Sequence, residues 1–179
     1  MDKRELEKME YRFLPEFVYG ATDGVITTFA IVAGVFGAAL NSVIILILGF
    51  ANLFADGFSM ATSDYLSTKS RNDLRKKTNF PKTNALKSAL MTFFAFIFIG
   101  FIPLLSFVVA AITKNPYLVA NQFVYSVILT FIALGIIGWY RGKISEKGEV
   151  KSMIQTILIG GAAALIAFFV GHFIRTLVG

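Results

Sequence analysis

The fold is decided by residues 17–68, which read FVYGATDGVITTFAIVAGVFGAALNSVIILILGFANLFADGFSMATSDYLST. This stretch contains no Lys, Arg, His or Glu, and its only charged residues are Asp23, Asp56 and Asp64. An aspartate at the centre of a membrane helix costs roughly 2.5–3.5 kcal/mol on insertion scales. Such residues therefore face a protein interior, a partner or a water-filled path. Three of them in one apolar hairpin predict a pathway for a cation.

The composition of the whole chain favours a membrane protein. Hydrophobic residues make up 56% of its 179 residues and charged residues 16%, whereas a soluble domain carries about 25% charged residues. The absence of Cys excludes disulfides, thiolate metal sites and cysteine nucleophiles. The single His excludes bis-histidine haem ligation and His-cluster zinc sites within one protomer. We expect no permanently bound cofactor.

Five segments are long and apolar enough to cross a bilayer, which takes about 20 mostly apolar residues. They predict an all-α, polytopic membrane domain over residues 16–179, with helices at 16–40, 42–68, 86–112, 118–140 and 153–178. Pro103 predicts a kink in the third helix. Residues 1–15 predict a cytosolic, interfacial amphipathic helix with Leu6, Met9 and Phe13 on one face, separated from the first span by Pro15.

The basic residues indicate the orientation, because short cytoplasmic loops retain an excess of Lys and Arg. Of 17 basic residues, all but Lys114 and Arg175 lie before the first span, between the second and third, or between the fourth and fifth. This asymmetry predicts a cytosolic amino terminus and a carboxyl terminus outside or in a lumen. We expect the net charge of +6 to attract anionic lipid headgroups at the cytosolic face, and we expect no nucleic-acid binding.

The first hairpin brings polar residues to one depth. With a turn near Asn41 and a rise of about 1.5 Å per residue, Asp23 lies roughly 25 Å from the turn and Asp56 and Met60 about 22–28 Å from it. A polar stripe recurs every four residues along the second helix, at Asn52, Asp56, Met60 and Asp64. Two carboxylates and a thioether favour first-row divalent metals such as Fe²⁺ over Mg²⁺ and Ca²⁺. We therefore predict Asp23, Asp56 and Met60 as metal ligands.

One protomer supplies too few ligands for an octahedral ion, which takes about six. Either waters complete the shell, or a two-fold axis brings a second set of the same side chains. Small residues on the first helix suit close helix approach, so we expect Gly20, Gly24 and Gly34 to pack a homodimer.

The acidic side chains also predict that metal transport is coupled to proton binding. A carboxyl group that loses its metal in a poorly hydrated site, beside a second carboxylate, tends to take up a proton. Metal and proton would then compete for Asp23, Asp56 or Asp64. We predict Asn52, Asp64 and Thr27 as pathway or proton-coupling residues.

Three segments resemble signatures of the vacuolar iron transporter family. YGATDGVITT at residues 19–28, with IVAG at 31–34, resembles its first helix. ANLFADGFSMA at 51–61, with DYLS at 64–67, resembles its second, and IGGAA at 159–163 with Gly171 is similar to its last. The resemblance implies a five-helix homodimer that exchanges Fe²⁺, and often Mn²⁺, for protons and moves metal out of the cytosol. It implies that Asp23 and Met60 are pathway ligands near the dimer interface.

The chain departs from the family pattern in two places. The family commonly has Glu at the positions of Asn52 and Asp64. The first departure removes a carboxylate, which Asp56, one turn along the helix, could restore. Many members carry a Glu-rich, metal-collecting cytosolic domain between the second and third helices, whereas residues 69–87 are basic with Asp73 as the only carboxylate. The chain resembles a short form without this domain, which would receive free cytosolic metal or metal from a partner protein. The resemblance implies a vacuole-type membrane in a eukaryote and the cell membrane in a prokaryote.

Two other classes of protein remain open. Paired aspartates at one depth also meet the chemical requirement of an intramembrane aspartyl protease, although the chain has no Gly-x-Gly-Asp run. In a non-transporting membrane scaffold, the aspartates would only hold helices together. Substitution of Met60 distinguishes the protease from a transporter, and Asp23→Asn distinguishes the scaffold.

Overall fold

The computed structural model describes residues 3–75, 82–145 and 148–178, without the side chains of residues 3–12. Every regular element in these ranges is helical, which confirms the all-α prediction. The elements are α1 (Lys3–Gly37), α2 (Ser42–Arg75), α3 (Ala85–Gly100), a 3₁₀ turn (Ile102–Leu104), α4 (Leu105–Thr113), α5 (Pro116–Ile144) and α6 (Glu149–Val178).

Five helical segments of the described chain are long and apolar enough to span a membrane. They are Phe13–Gly37, Ser42–Arg75, Ala85–Thr113, Pro116–Ile144 and Glu149–Val178. The protein is thus a multi-pass membrane protein, and each segment matches one predicted span. The ends differ by several residues, because hydropathy marks only the apolar part of a helix while its backbone hydrogen bonds continue into the polar flank.

The expected break at Pro15 is wrong. α1 runs from Lys3 through Pro15 to Gly37 as one helix. Proline removes one backbone hydrogen bond because it lacks the N–H group, and at the exposed Pro15 the helix continues in spite of this loss. The amphipathic face expected at Leu6 and Met9 falls outside the described side chains.

The structure interrupts the third span at Pro103, where the sequence predicts a kink. The third span consists of α3, the 3₁₀ turn that contains Pro103, and α4. Ser126 Oγ on α5 donates a hydrogen bond to the Pro103 carbonyl oxygen at 2.7 Å. A side chain of the neighbouring helix therefore satisfies a backbone group at the interruption.

α1 is the central helix of the bundle and contacts α2, α3, α5 and α6. Its residues Ala21, Val25 and Val32 are fully buried, as are Phe96 on α3 and Leu134 on α5. This packing fixes the rotation of α1 and hence the direction in which Asp23 points.

The glycines of α1 pack inside one protomer. Gly20 and Gly24 lie against the backbone of α3 at Thr92 and Phe96, and Gly34 lies against α6. The close helix approach that we expected between two protomers is found between helices of the same chain. The assignment of these three glycines to dimer packing is therefore corrected, because α3 and α6 already cover that side of α1.

Gly24→Ala is expected to destabilise the protein by about 1–3 kcal/mol, the usual cost of overpacking. A Cβ atom at Gly24 would lie 2.5 Å from the carbonyl oxygen of Phe96, which as backbone cannot rotate away. Gly135→Ala is the matched control, because the nearest atom to its added Cβ is Ile157 Cδ1 at 3.8 Å. Thermal unfolding of both variants in one detergent measures the difference, and equal midpoints would contradict the prediction.

Candidate metal pathway

The candidate site begins where α1 meets α2. Asp23 is half-buried on α1, and its carbonyl oxygen accepts a hydrogen bond from Thr27 Oγ1 at 2.8 Å. Thr27 Oγ1 in turn accepts a hydrogen bond from Asn52 Nδ2 on α2 at 3.4 Å. Thr27 and Asn52, two of the predicted pathway residues, therefore join the two helices one turn beyond Asp23.

The carboxylates of Asp23 and Asp56 belong to one local group. Asp56 lies one turn after Asn52 on α2, is exposed, and is near enough to Asp23 for the two charges to interact. Met60 follows one turn later, half-buried, and packs against the apolar core. Asp23 and Asp56 are thus close enough for their charges to interact, and Met60 lies one turn further along α2.

Asp64 belongs to a different cluster. Its side chain is only 10% exposed and faces α3, where Ser88 Oγ and Thr92 Oγ1 donate to its Oδ2 at 2.8 and 3.2 Å. Its Oδ1 accepts a hydrogen bond from Thr68 Oγ1 at 3.5 Å and lies 3.9 Å from Arg71 Nη2. Asp64 therefore holds α2 against α3.

The separation of Asp64 from the other polar residues corrects the prediction of one shared stripe. A step of four residues overshoots one helical turn by about 40°, so the twelve residues from Asn52 to Asp64 rotate the stripe by about 120°. Asn52 consequently faces α1 while Asp64 faces α3.

Sequence reasoning missed the partners of Asp64 and the role of Glu16. Ser88 Oγ lies 3.1 Å from Glu16 Oε1 on α1, so the cluster joins three helices. Glu16 Oε2 is buried and has no hydrogen-bond partner among the described residues. The available signal was the spacing of Ser88 and Thr92, which puts two hydroxyl groups on one face of an otherwise apolar helix.

One protomer does not complete a metal site. Among the described residues, no group of three or more His, Cys, Asp or Glu side chains comes together. Asp23 and Asp56 supply two carboxylates, and water or a second copy of the chain would have to supply the rest of an octahedral shell.

Five spans, of which the first two form a hairpin that carries two aspartates with interacting charges, are the features of an integral membrane transport protein. Comparison with known proteins identifies the family. The VIT family model matches residues 14–80 and 77–172, and the chain therefore belongs to the VIT family.

Three relatives illustrate the similarity. The chain is 24% identical to the vacuolar iron transporter of Plasmodium berghei (strain Anka), with 98% of this chain and 88% of the relative covered. It is 27% identical to vacuolar iron transporter 1 of Eucalyptus grandis, with 86% and 83% covered. It is 29% identical to vacuolar iron transporter homolog 4 of Arabidopsis thaliana, with 94% and 89% covered. These relatives are named as transporters, and the chain is a transporter and not an enzyme.

The alignments also differ in length. The alignment with the Plasmodium protein extends over 239 positions, although this chain has 179 residues, whereas the alignment with the Arabidopsis protein extends over 187. The Plasmodium relative therefore contains residues that this chain lacks.

Proposed function

We propose that this protein moves Fe²⁺, and also Mn²⁺ or other first-row divalent metals, out of the cytosol in exchange for protons. The observation that carries the proposal is that Asp23 on α1 and Asp56 on α2 are close enough for their charges to interact. Two carboxylates neutralise a divalent cation, and Met60 offers a soft sulfur ligand in the same hairpin. Membership of the VIT family, whose relatives are named as iron transporters, supports the choice of metal.

We infer that a homodimer completes the path. Asp56, Ser59 and Ser63 are exposed on α2 within a membrane span. A carboxylate and hydroxyl groups at this depth favour contact with protein or water over contact with lipid. A second copy placed over this face of α2 would cover these groups and contribute a second pair of aspartates.

Proton exchange follows from the charges of the paired carboxylates. When the metal leaves, the two carboxylates repel each other, and a proton on one of them relieves the repulsion. The direction rests on the basic residues, which favour a cytosolic amino terminus and contact with anionic lipid headgroups on that side. In a eukaryote the membrane would be vacuole-type, as in the names of the relatives, and in a prokaryote the cell membrane.

Metal flux into proteoliposomes tests the proposal. Purified protein is reconstituted with an Fe²⁺-sensitive dye and a pH-sensitive dye inside the vesicles, and uptake is recorded with and without an imposed pH gradient. We expect Fe²⁺ uptake that depends on the gradient and is accompanied by proton movement in the opposite direction. Uptake that ignores the gradient would contradict proton exchange, and the absence of uptake of any first-row divalent metal by folded protein would overturn the proposal.

Met60→Leu is expected to lower Fe²⁺ flux about tenfold and to reduce the preference for Fe²⁺ over Mg²⁺, because it removes a soft ligand. Leucine keeps the volume, so the packing of Met60 against the core should change little. The measurement is the ratio of Fe²⁺ to Mg²⁺ flux in the same vesicles. An aspartyl protease would not depend on this sulfur, so an unchanged ratio, together with hydrolysis of membrane peptides, would favour that alternative.

A further inference from the structure

A groove on the outer flank of α2 has no part in the proposed metal path. It lies between α2 and α3 and has a volume of about 400 Å³. Its walls include Phe58, Ala61 and Tyr65 from α2 and Leu86, Leu90 and Phe93 from α3. The hydroxyl group of Thr62, which also lines it, donates to the Phe58 carbonyl oxygen at 2.9 Å, so the groove presents an apolar surface.

The groove lies on a different side of α2 from Asp56. On α2, Asn52 faces α1 and Gly57 faces α3. A Cβ atom added at Gly57 would lie 3.2 Å from the Phe96 ring. Phe58 and Tyr65 lie on the remaining side of α2, and both side chains are exposed, Phe58 to 67%. This side belongs to the surface that a membrane protein offers to lipid.

A positive charge stands at one end of the groove. Lys69 follows Tyr65 by one turn, and its Nζ lies 5.9 Å from the centroid of the Tyr65 ring. The sequence around it is strongly basic, since residues 69–87 contain seven Lys and Arg residues and one acidic residue, Asp73. An aromatic ring beside a lysine at the end of a span is typical of the membrane–water interface.

We propose that this groove holds one anionic phospholipid, with an acyl chain between α2 and α3 and the headgroup phosphate at Lys69. The distance along α2 from Phe58 to Tyr65 is about 10 Å, which fits within one leaflet of a hydrocarbon core about 30 Å thick. A free phosphate would gain nothing from the apolar walls, and a zwitterionic lipid would gain less from the basic end. The proposal stands on the groove and the charges alone and does not depend on which solute the protein transports.

The single tryptophan of the chain makes the proposal testable by fluorescence. Trp139 is the only Trp, so Leu90→Trp in a Trp139→Phe background gives one reporter in the wall of the groove. Vesicles contain either dibrominated phosphatidylglycerol or dibrominated phosphatidylcholine, whose bromines quench a tryptophan in contact with the acyl chain. We expect stronger quenching by the anionic lipid, which yields a relative binding constant.

Lys69→Gln in the reporter background is expected to reduce this preference about fivefold, the effect of one lysine near an anionic surface. Lys143→Gln is the matched control, because Lys143 on α5 also lies over an aromatic ring near the end of a span, with Nζ 5.2 Å from the Trp139 centroid, and position 139 stays aromatic in the reporter background. The control should leave the preference unchanged.

Equal quenching by the two lipids would overturn the proposal, because it would indicate ordinary lipid contact. An equal effect of Lys143→Gln would also overturn it, since the preference would then belong to the whole basic face. Loss of quenching by both lipids at high protein density would mean that another copy of the chain covers the groove. If the reporter variant does not fold, native mass spectrometry of the unsubstituted chain and of Lys69→Gln replaces it, and the absence of a retained phosphatidylglycerol that depends on Lys69 would count against the site.

Discussion

Asp23→Asn is expected to lower Fe²⁺ flux in proteoliposomes by more than about 100-fold, because loss of even an outer partner of a metal ligand costs 10–100-fold. Asparagine has nearly the same shape, and the hydrogen bond from Thr27 goes to the backbone carbonyl of Asp23, which the substitution retains. The fold should therefore persist while one of two paired charges is lost. The measurement is the initial rate of dye quenching with an imposed pH gradient.

Asp73→Asn provides the matched control for Asp23→Asn. Asp73 is an exposed aspartate near the end of α2, outside the paired carboxylates, and the substitution removes the same charge. Flux close to that of the unsubstituted protein is expected for this variant. If Asp23→Asn also transports normally, Asp23 is not in the path, and the scaffold reading of the aspartates gains support.

Asp64→Ala is expected to destabilise the protein by about 3 kcal/mol, because it removes a buried, hydrogen-bonded charge. Ser88 and Thr92 both donate to Asp64, both are fully buried, and Thr92 would be left without this acceptor. The effect is structural, since this cluster ties α2 to α3. Thermal unfolding in detergent measures it.

Asp56→Ala is expected to impair transport without changing the stability of the protein. Asp56 is exposed, so its removal should change the unfolding midpoint little, yet we expect transport to fall as it does for Asp23→Asn. We expect Asp64→Ala to unfold at a lower temperature than the unsubstituted protein, and Asp56→Ala to fold normally without transporting metal. This result would separate the structural role of Asp64 from the transport role of Asp56. Equal stability of the two variants would contradict the assignment of Asp64 to helix packing.

The number and approximate limits of the spans were predictable because each depends on a local property. An apolar run long enough to cross the bilayer must form a helix whose backbone groups are satisfied internally, whatever surrounds it. The proximity of Asp23 and Asp56 was predictable for a similar reason, since helical rise and one short turn define the level of each residue in the hairpin. The continuity of α1 through Pro15 was not predictable, because it depends on whether a single missing hydrogen bond is tolerated.

The rotation of each helix about its axis could not be predicted to the accuracy that the site requires. From the sequence, Gly20 and Gly24 suit a contact between two protomers as well as a contact between two helices of one chain. The position of α3 shows that the contact is within one chain. Likewise, Asp64 follows Met60 at the four-residue spacing of the polar stripe. Because this spacing exceeds one helical turn, the stripe rotates about α2, and Asp64 faces Ser88 on α3. A small error in rotation directs a side chain to a different neighbouring helix, whereas a small error in rise barely changes its depth.

Sequence analysis alone was enough to establish that the chain is an all-helical, five-span membrane protein and that Asp23 and Asp56 lie near each other in its first hairpin. Both follow from hydropathy and helix geometry, which act within a segment. The grouping of the aspartates depends on packing between helices, because α3 packs against the glycines of α1 and offers buried hydroxyl groups to Asp64. That choice rests on contacts between segments far apart in the chain, where burial of a charge requires partners that only the assembled bundle supplies.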